Sequence, residues 1–236
     1  GLTEFSNRFS DRFFDVGIAE QHAVTFGAAL ASKGLKPFFA VYSSFLQRGF
    51  DQLIHDTAMG GFPLRLLVDR AGIVGEDGET HQGLFDVSYL TLIPDMNIYS
   101  PSNFKELKYR IKDIAQREEI SAVRYPRGGQ KLSEFDDFKE DFTLIKGNGE
   151  KIIITYGRIF AEAMKAKQAL GDVSVLKLNK IFPIDNELIK EILNYKRIFI
   201  FEETEKSGSI GEHLSALLFE NGFKGEFKTK AIDNKF

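Results

Sequence analysis

The sequence contains no cysteine, so it can form neither a disulfide framework nor a site built on a thiolate. We also expect no signal peptide, and no apolar run approaches the roughly 18 residues of a transmembrane helix. These absences favour a protein of the cytoplasm without a membrane partner, or of a plastid if a transit segment lies upstream. The first residues, "GLTEF", read as the middle of a longer chain.

No stretch of the chain concentrates basic residues, and the formal net charge is only -3. The composition therefore gives no electrostatic reason to expect nucleic acid as a partner. The chain has 236 residues, of which 43% are hydrophobic. Because this length exceeds the commonest domain size of about 100–150 residues, we predict two compact domains.

Short apolar segments alternate with helical patterns between residues 13 and 128. This alternation indicates right-handed crossovers and a mainly parallel sheet with helices on both faces. One helix carries Phe104, Leu107, Ile111 and Ile114 on the side that should cover the sheet. The predicted strands of this region are "RFFDV", "KPFFAVY", "PLRLLVD", "MNIYS" and "SAVRYP".

A polar, acidic segment precedes a second group of apolar runs. We expect buried strands in "KIIITYG", in residues 176–182 and in "RIFIFEE". The predicted fold is therefore α/β, with two domains that each consist of a mainly parallel sheet flanked by helices. We place the first domain at residues 1–135, a linker at 136–149 and the second domain at 150–236.

Glu20 is an isolated carboxylate in the helical pattern "IAEQHAVTFGAALASKG", which Gly34 can end. Its position in the first turn fits an acid that complements the helix dipole. Alternatively, Glu20 is held in an apolar site, where burial favours the neutral acid and lets it exchange a proton with a ligand. The sequence around Glu20 leaves both interpretations open.

Other candidates follow predicted strands, because ligands of open α/β sheets collect at the carboxyl ends of strands. Tyr42 and Phe45 are either core aromatics or a face on which a flat heteroaromatic ring can stack, and Arg48 can balance a nearby acid. Arg127 is either a surface cation or a phosphate ligand beside two glycines. Residues 207–213, "SGSIGEH", have two glycines three apart, so turn and cap chemistry is expected there rather than phosphate binding.

The loop at residues 69–83 is long and rich in glycine, as functional loops often are. Solvated turn chemistry explains its acidic residues, Asp77 among them, as well as function does. Arg70 suits an anionic substrate, and the imidazole of His81 can move protons near neutral pH. Asp77 and His81 alone do not complete a metal site, so we predict no bound metal within this chain.

Four motifs resemble, in order and spacing, the middle domain of the transketolase-like thiamine diphosphate family: "DVGIAEQHAV", "YSSFLQRGFDQLIHD", "DRAGIVGEDGETHQGLFD" and "VRYPRG". Residues 150–236 resemble the C-terminal domain of the same family. "HQGLFD" after "DGET" is most similar to the branch that condenses pyruvate with glyceraldehyde 3-phosphate, with loss of CO2, for isoprenoid, thiamine and pyridoxal precursors. The resemblance implies a homodimeric transferase that depends on thiamine diphosphate.

The resemblance assigns a cofactor role to residues of the first two motifs. Glu20 is implied to be catalytic, because the matching glutamate hydrogen-bonds N1′ of the cofactor's aminopyrimidine. Phe45 is implied to stack on that ring, with Tyr42 and Arg48 nearby. In this family, Mg2+ and the diphosphate are bound by an N-terminal domain whose motifs do not occur in these residues.

The resemblance assigns substrate roles to the other motifs. Arg70 and Arg127 are implied to hold the phosphate of glyceraldehyde 3-phosphate. Asp77 and His81 are implied to serve donor binding and proton transfer, with Tyr42 beside them. His81 is thus the second residue implied to be catalytic.

The sequence also departs from the family pattern. The family's diphosphate-binding domain and the first strand and helix of its pyrimidine domain do not occur in these residues, and we therefore expect a fragment or proteolysed portion that carries half of the cofactor site and most of the substrate site. Gln82 stands where many members have a second histidine. Two other interpretations are a β-type subunit of a 2-oxo acid dehydrogenase and a non-catalytic α/β interaction or nucleotide-binding module. The pair Arg70 and Arg127 favours the phosphorylated acceptor.

Overall fold

The computed structural model of the protein describes residues 2–129 and 135–233. Its strands are β1 (Phe38–Tyr42), β2 (Arg65–Asp69), β3 (Asn97–Tyr99), β4 (Ser121–Arg124), β5 (Phe142–Ile145), β6 (Lys151–Thr155), β7 (Val173–Leu178), β8 (Lys180–Phe182), β9 (Arg197–Glu205) and β10 (Glu226–Ile232). Within the described ranges they form two five-stranded sheets, with the orders β1-β2-β4-β3-β8 and β10-β9-β6-β7-β5. All neighbours are parallel except β3 with β8 and β5 with β7. The predicted fold class is confirmed.

Helices alternate with these strands along the chain. The α-helices of the described part are α1 (Thr3–Arg8), α2 (Glu20–Ser32), α3 (Ser43–Leu46), α4 (Phe50–Gln52), α5 (Asp86–Leu90), α6 (Phe104–Ile114), α7 (Phe160–Leu170), α8 (Asn186–Ile192) and α9 (Ile210–Glu220). A 3-10 turn at Gln47–Gly49 joins α3 to α4, and a π-helical segment at Leu53–Ala58 continues α4. None of the helices in residues 2–129 and 135–233 is long and apolar enough to cross a membrane.

Two strand predictions are wrong. "RFFDV" contains no strand: the backbone is extended at Phe13, but Phe14 packs edge-on against Phe26 of α2, at 5.3 Å between ring centres, instead of entering a sheet. Residues 176–182 do not form one strand, because the chain passes from β7 in the second sheet to β8 in the first at Asn179. The buried amide of Asn179 donates to the carbonyl of Glu140 at 3.0 Å, which stabilises this change of direction.

The helix that should cover the first sheet is only partly as predicted. α6 forms, and Ile114 is fully buried, but Phe104 is 57% exposed. The helix buries Glu106 and Arg110 on an adjacent face, where the second half of the chain supplies polar partners. Lys177 of β7 lies 2.8 Å from the carboxylate of Glu106, and both side chains are fully buried. The periodicity of apolar residues does not reveal a face that is buried through ion pairing.

The hydrophobic core connects the two sheets. One cluster of buried side chains includes Leu66 and Ile98 from the first sheet and Ile154 and Ile200 from the second. Residues 136–149, which were predicted to be a linker, contain the edge strand β5. Residues 130–134, which precede them in the chain, lie outside the described residues. Because β8 also pairs with β3, the two sheets share both a core and a strand connection.

Candidate functional site

The carboxyl ends of β1, β2 and β4 lie at one edge of the first sheet, because these three strands are parallel neighbours. α3 follows β1 directly, the loop at residues 70–83 follows β2, and Arg127 follows β4. The predicted candidates therefore converge on one edge, where the structure joins them by a series of side-chain contacts. Among residues 2–129 and 135–233, no group of three or more His, Asp or Glu side chains could hold a metal ion.

Glu20 is the first residue of α2 and is only 6% exposed. Its carboxylate accepts a hydrogen bond from Arg48, at 3.1 Å between Oε1 and Nη1. The close packing of α2 against the 3-10 turn that contains Arg48 depends on Gly49, because a Cβ at position 49 would lie 3.0 Å from Cγ2 of Val24. Burial together with a specific cation distinguishes Glu20 from an exposed acid that only complements a helix dipole.

Three aromatic rings contact one another next to Arg48, the partner of Glu20. Phe45 stacks on Tyr42 at 5.4 Å between ring centres, and the His81 ring lies 5.3 Å from Phe45. The Arg48 guanidinium is 5.1 Å from the Phe45 ring centre, so it connects Phe45 to Glu20. Phe45 and Tyr42 are only half-buried. Their rings can therefore contact a ligand as well as the core.

The loop after β2 is closed at its base. Gly72 and Gly83 exchange two backbone hydrogen bonds, at 2.7 and 2.8 Å, and a Cβ on Gly83 would collide with the carbonyl oxygen of Arg70. Gln82 spans the loop: its Oε1 accepts from the amide of Val74 at 2.9 Å, and its Nε2 donates to the carbonyl of Gly78 at 3.0 Å. Gln82 thus stabilises the loop conformation internally.

Arg70 has a backbone φ of +60°, a conformation that costs a bulky residue on the order of 1–3 kcal/mol. Asp69 compensates by accepting bonds from both the backbone amide and the guanidinium of Arg70. The guanidinium also lies 4.1 Å from the centre of the Tyr42 ring. Burial acts to lower the pKa of Arg70, but the charges of Asp69 and Asp77 raise it above its ordinary value. Arg70 is therefore a permanent cation.

Asp77 lies between the two arginines that were predicted to bind phosphate. One carboxylate oxygen of Asp77 is 3.4 Å from Nε of Arg70, and the other forms an ion pair with Arg127. Arg127 also contacts the exposed carboxylate of Glu76 at 3.2 Å. An anion that binds both arginines must therefore share or displace the carboxylate of Asp77.

A buried ion pair that the sequence analysis did not identify supports the end of this loop. Arg124 of β4 donates to Asp86 of α5 at 2.7 and 3.1 Å, and both side chains are buried. Burial acts to lower the pKa of Arg124, but the charge and hydrogen bonds of Asp86 outweigh this effect and the pKa is raised. Arg124 also lies 3.4 Å from the carbonyl of Gly83, so this pair fixes the base of the loop.

Residues 207–213 form a capped helix start, as predicted. Ser209 is the N-cap of α9 and accepts from the amide of Glu212 at 3.2 Å, and Glu212 in turn accepts from the amide of Gly208 at 2.8 Å. The buried carboxylate of Glu202 accepts from the amides of Ile210 and Gly211, at 3.1 and 2.9 Å. Burial raises the pKa of Glu202 against these hydrogen bonds. The Glu202 carboxylate therefore already accepts the hydrogen bonds of the backbone amides that a phosphate would need.

The sequence analysis also missed Asp69, Arg158 and Glu203. Arg158 donates to the carbonyl of Ile73 at 2.7 Å and to Glu203 at 2.6 Å. The rule that found the other candidates, which is to inspect residues just after parallel strands, selects Arg158 after β6 as well.

This geometry defines a two-domain α/β protein with a cluster of acid, aromatic and arginine side chains at the carboxyl edge of its first sheet. Two family profiles match the chain: "Transketolase, pyrimidine binding domain" at residues 1–131 and "Transketolase, C-terminal domain" at residues 143–231. The chain belongs to the transketolase family.

Among curated proteins, the chain is 43% identical over 249 residues to the 1-deoxy-D-xylulose-5-phosphate synthase of Clostridium perfringens, with 100% of the chain and 40% of the relative covered. It is 42% identical over 228 residues to the synthase of Neisseria gonorrhoeae, with 94% and 36% covered. The predicted resemblance is thereby confirmed. The chain spans about 40% of the length of the first of these relatives.

Two solved structures share the fold. A structure titled "Split gene transketolase, inactive beta4 tetramer" superposes with a TM-score of 0.87 at 24% identity and covers 99% of this chain and 79% of its own. A transketolase of Campylobacter jejuni gives a TM-score of 0.72 at 19% identity, with 93% and 34% covered. The two-domain architecture is thus that of transketolases.

Proposed function

We propose that this chain supplies the pyrimidine-binding and C-terminal parts of a 1-deoxy-D-xylulose-5-phosphate synthase. The enzyme condenses pyruvate with glyceraldehyde 3-phosphate and releases CO2, and its product serves isoprenoid, thiamine and pyridoxal synthesis. The observation that carries the proposal is the series of contacts from Glu20 through Arg48, Phe45 and His81 in a chain with 43% identity to such a synthase.

The residues present fit the aminopyrimidine of thiamine diphosphate. Arg48 contacts both a buried carboxylate, Glu20, and a half-buried ring, Phe45. Glu20 would hold a proton at N1′ of the aminopyrimidine, while Phe45 and Tyr42 would offer ring faces for stacking. When bound, the cofactor supplies the carbon nucleophile that takes up pyruvate.

The loop after β2 would bind the two substrates. Arg70 and Arg127 would hold the phosphate of the aldehyde through charge-assisted hydrogen bonds, and Asp77 would yield its position between them to that phosphate. His81, with its ring 5.3 Å from Phe45, would move a proton at the carbonyl oxygen of a substrate bound next to that ring. Asp77 would then be free to interact with the donor.

Completion of the site would require a diphosphate-binding domain, which binds Mg2+ and the diphosphate, and a second copy of the chain. Exposed apolar side chains in the segment before α2 support a homodimer, because Ile18 and Phe14 are 86% and 58% exposed. Sedimentation of the completed enzyme should reveal two copies of this chain per particle. A single copy would contradict the homodimer.

We expect the 236-residue chain alone to show negligible synthase turnover at saturating thiamine diphosphate and Mg2+. Turnover should appear when the part of the Clostridium perfringens synthase that this chain does not match is added in trans, because that part would bring the diphosphate and Mg2+ ligands. The control is the same mixture with the Glu20→Gln chain. Turnover by the chain alone would refute the need for a second part. Reductive acetylation of a lipoyl domain by the mixture would support the 2-oxo acid dehydrogenase interpretation instead.

In the completed enzyme, Arg127→Ala and Arg70→Ala should each raise KM for glyceraldehyde 3-phosphate by roughly ten- to a hundredfold. The reason is the loss of a cationic contact to the phosphate, so KM for pyruvate should change far less. Arg117→Ala is the control, because Arg117 pairs with Asp113 away from the loop. Equal increases for both substrates would argue against a phosphate role.

A further inference from the structure

The carboxyl end of β9 contacts both ends of the loop at residues 70–83. At the start of the loop, Glu203 packs so closely on Gly72 that a Cβ there would lie 3.0 Å from its carboxylate. Beyond the end of the loop, the carbonyl of Leu84 accepts from Oγ1 of Thr204 at 2.6 Å and from the amide of Glu205 at 2.9 Å. The second sheet therefore fixes the base of a loop that emerges from the first.

Arg158 extends this contact beyond the base of the loop. It follows Gly157, which has a φ of +59° and donates its amide to the carbonyl of Ser100 at 3.1 Å. Nη2 of Arg158 donates to the carbonyl of Ile73 at 2.7 Å, and Nε donates to Glu203 at 2.6 Å. One guanidinium thus joins the loop to a carboxylate of the second sheet.

Between Gly72 and Gly83 the loop is held mainly by polar contacts, such as the bonds of Gln82 and the ion pairs of Asp77. Its residues 73, 75, 76 and 78–80 are exposed, and Val74 is the apolar side chain that it buries within the described residues. A segment with little buried apolar surface opens locally at a low free-energy cost. The bond from Arg158 to Ile73 therefore ties a segment with little buried apolar surface to the second sheet.

We propose that Arg158, oriented by Glu203, is a positioning residue for the substrate loop. It holds the loop in the conformation in which Asp77 lies between Arg70 and Arg127 and the ring of His81 lies against Phe45. The effect of Arg158 on substrate binding rests on the proposed function. Its effect on the order of the loop rests on the contacts alone. It gives the C-terminal domain a direct part in substrate binding.

The order of the loop can be measured in the chain itself, without any ligand, by amide hydrogen exchange. Arg158→Met should accelerate exchange of the amides at residues 73–82 by roughly ten- to a hundredfold, which corresponds to the loss of a charge-assisted bond. The matched control is Arg197→Met, because Arg197 is an exposed arginine of β9 that pairs with Glu226 away from the loop. Glu203→Gln, which keeps the size of the side chain, should give an intermediate acceleration. Unchanged exchange in both Arg158→Met and Glu203→Gln would overturn the proposal.

Kinetics of the completed enzyme test the catalytic consequence. Because the loop carries residues for both substrates, Arg158→Met should raise KM for pyruvate and for glyceraldehyde 3-phosphate together, in contrast to Arg127→Ala. Arg158→Lys should recover part of the loss, since an ammonium can still donate to the carbonyl of Ile73. A mobile loop with unchanged KM values would overturn the positioning role. If the parent enzyme has no synthase activity, the proposed function fails, while the exchange measurement still decides whether Arg158 orders the loop.

Discussion

Replacing Glu20 with glutamine in the completed enzyme is expected to slow proton exchange at the thiazolium C2 by roughly 10²–10⁴, the usual scale for a positioned acid or base. Glutamine retains the size of glutamate and can still accept a hydrogen bond from Arg48, so neither a cavity nor an unpaired guanidinium need result. The change removes the acidic proton that Glu20 would hold at N1′ of the aminopyrimidine. Hydrogen–deuterium exchange at C2, followed by NMR, measures this step separately from decarboxylation and product release.

The same variant distinguishes the two interpretations of Glu20. If the carboxylate only complemented the dipole of α2, neutralising it would cost at most about 1 kcal/mol of stability and leave C2 exchange unchanged. Glu187→Gln is the matched control, because Glu187 lies in the first turn of α8 with an exposed side chain. Exchange at C2 as fast in Glu20→Gln as in the parent would exclude Glu20 as the acid.

Replacing Lys177 with methionine is expected to lower the free energy of unfolding by about 3–5 kcal/mol, because it leaves the buried carboxylate of Glu106 without a counter-charge. Both side chains are fully buried, and their atoms lie 2.8 Å apart across the contact between α6 and β7. Burial lowers the pKa of Lys177, and the attraction of Glu106 opposes that effect. Urea-induced unfolding of the chain measures the loss.

Two further variants identify the cause of that loss. The double variant Lys177→Met with Glu106→Gln should be more stable than Lys177→Met alone, since no charge is then left buried and unpaired. Lys190→Met is the control, because its pair with Glu187 is exposed, and its melting temperature should match that of the parent. A Lys177→Met chain as stable as the parent would show that this pair does not hold the two halves together.

The sequence by itself determined the class of fold and the candidate side chains of the site. Strand length, the alternation of strands with helices, and the capping pattern around Ser209 are local properties, so they can be read over a few residues. The rule that ligands collect after parallel strands then selected Tyr42, Arg70 and Arg127, which the structure does bring to one edge of the first sheet.

Only the tertiary structure decided which of these side chains contact each other. Asp77 pairs with Arg127, which lies 50 residues away in the sequence. Arg158 donates to the carbonyl of Ile73 over a separation of 85 residues, and Lys177 pairs with Glu106 over a separation of 71 residues. Contacts over such separations depend on how the two sheets pack, and no local periodicity encodes them.

Tertiary packing also explains the predictions that were wrong. The break at Asn179 is stabilised by the distant carbonyl of Glu140, so residues 176–182 divide between the two sheets instead of forming the single predicted strand. α6 buries Glu106 because Lys177 neutralises it, whereas a sequence pattern treats a carboxylate as exposed. The sequence by itself therefore specifies the secondary-structure elements and the candidate side chains of the site. Tertiary packing specifies which polar side chains pair with each other, because the free energy of burying a polar group depends on the group that lies opposite it.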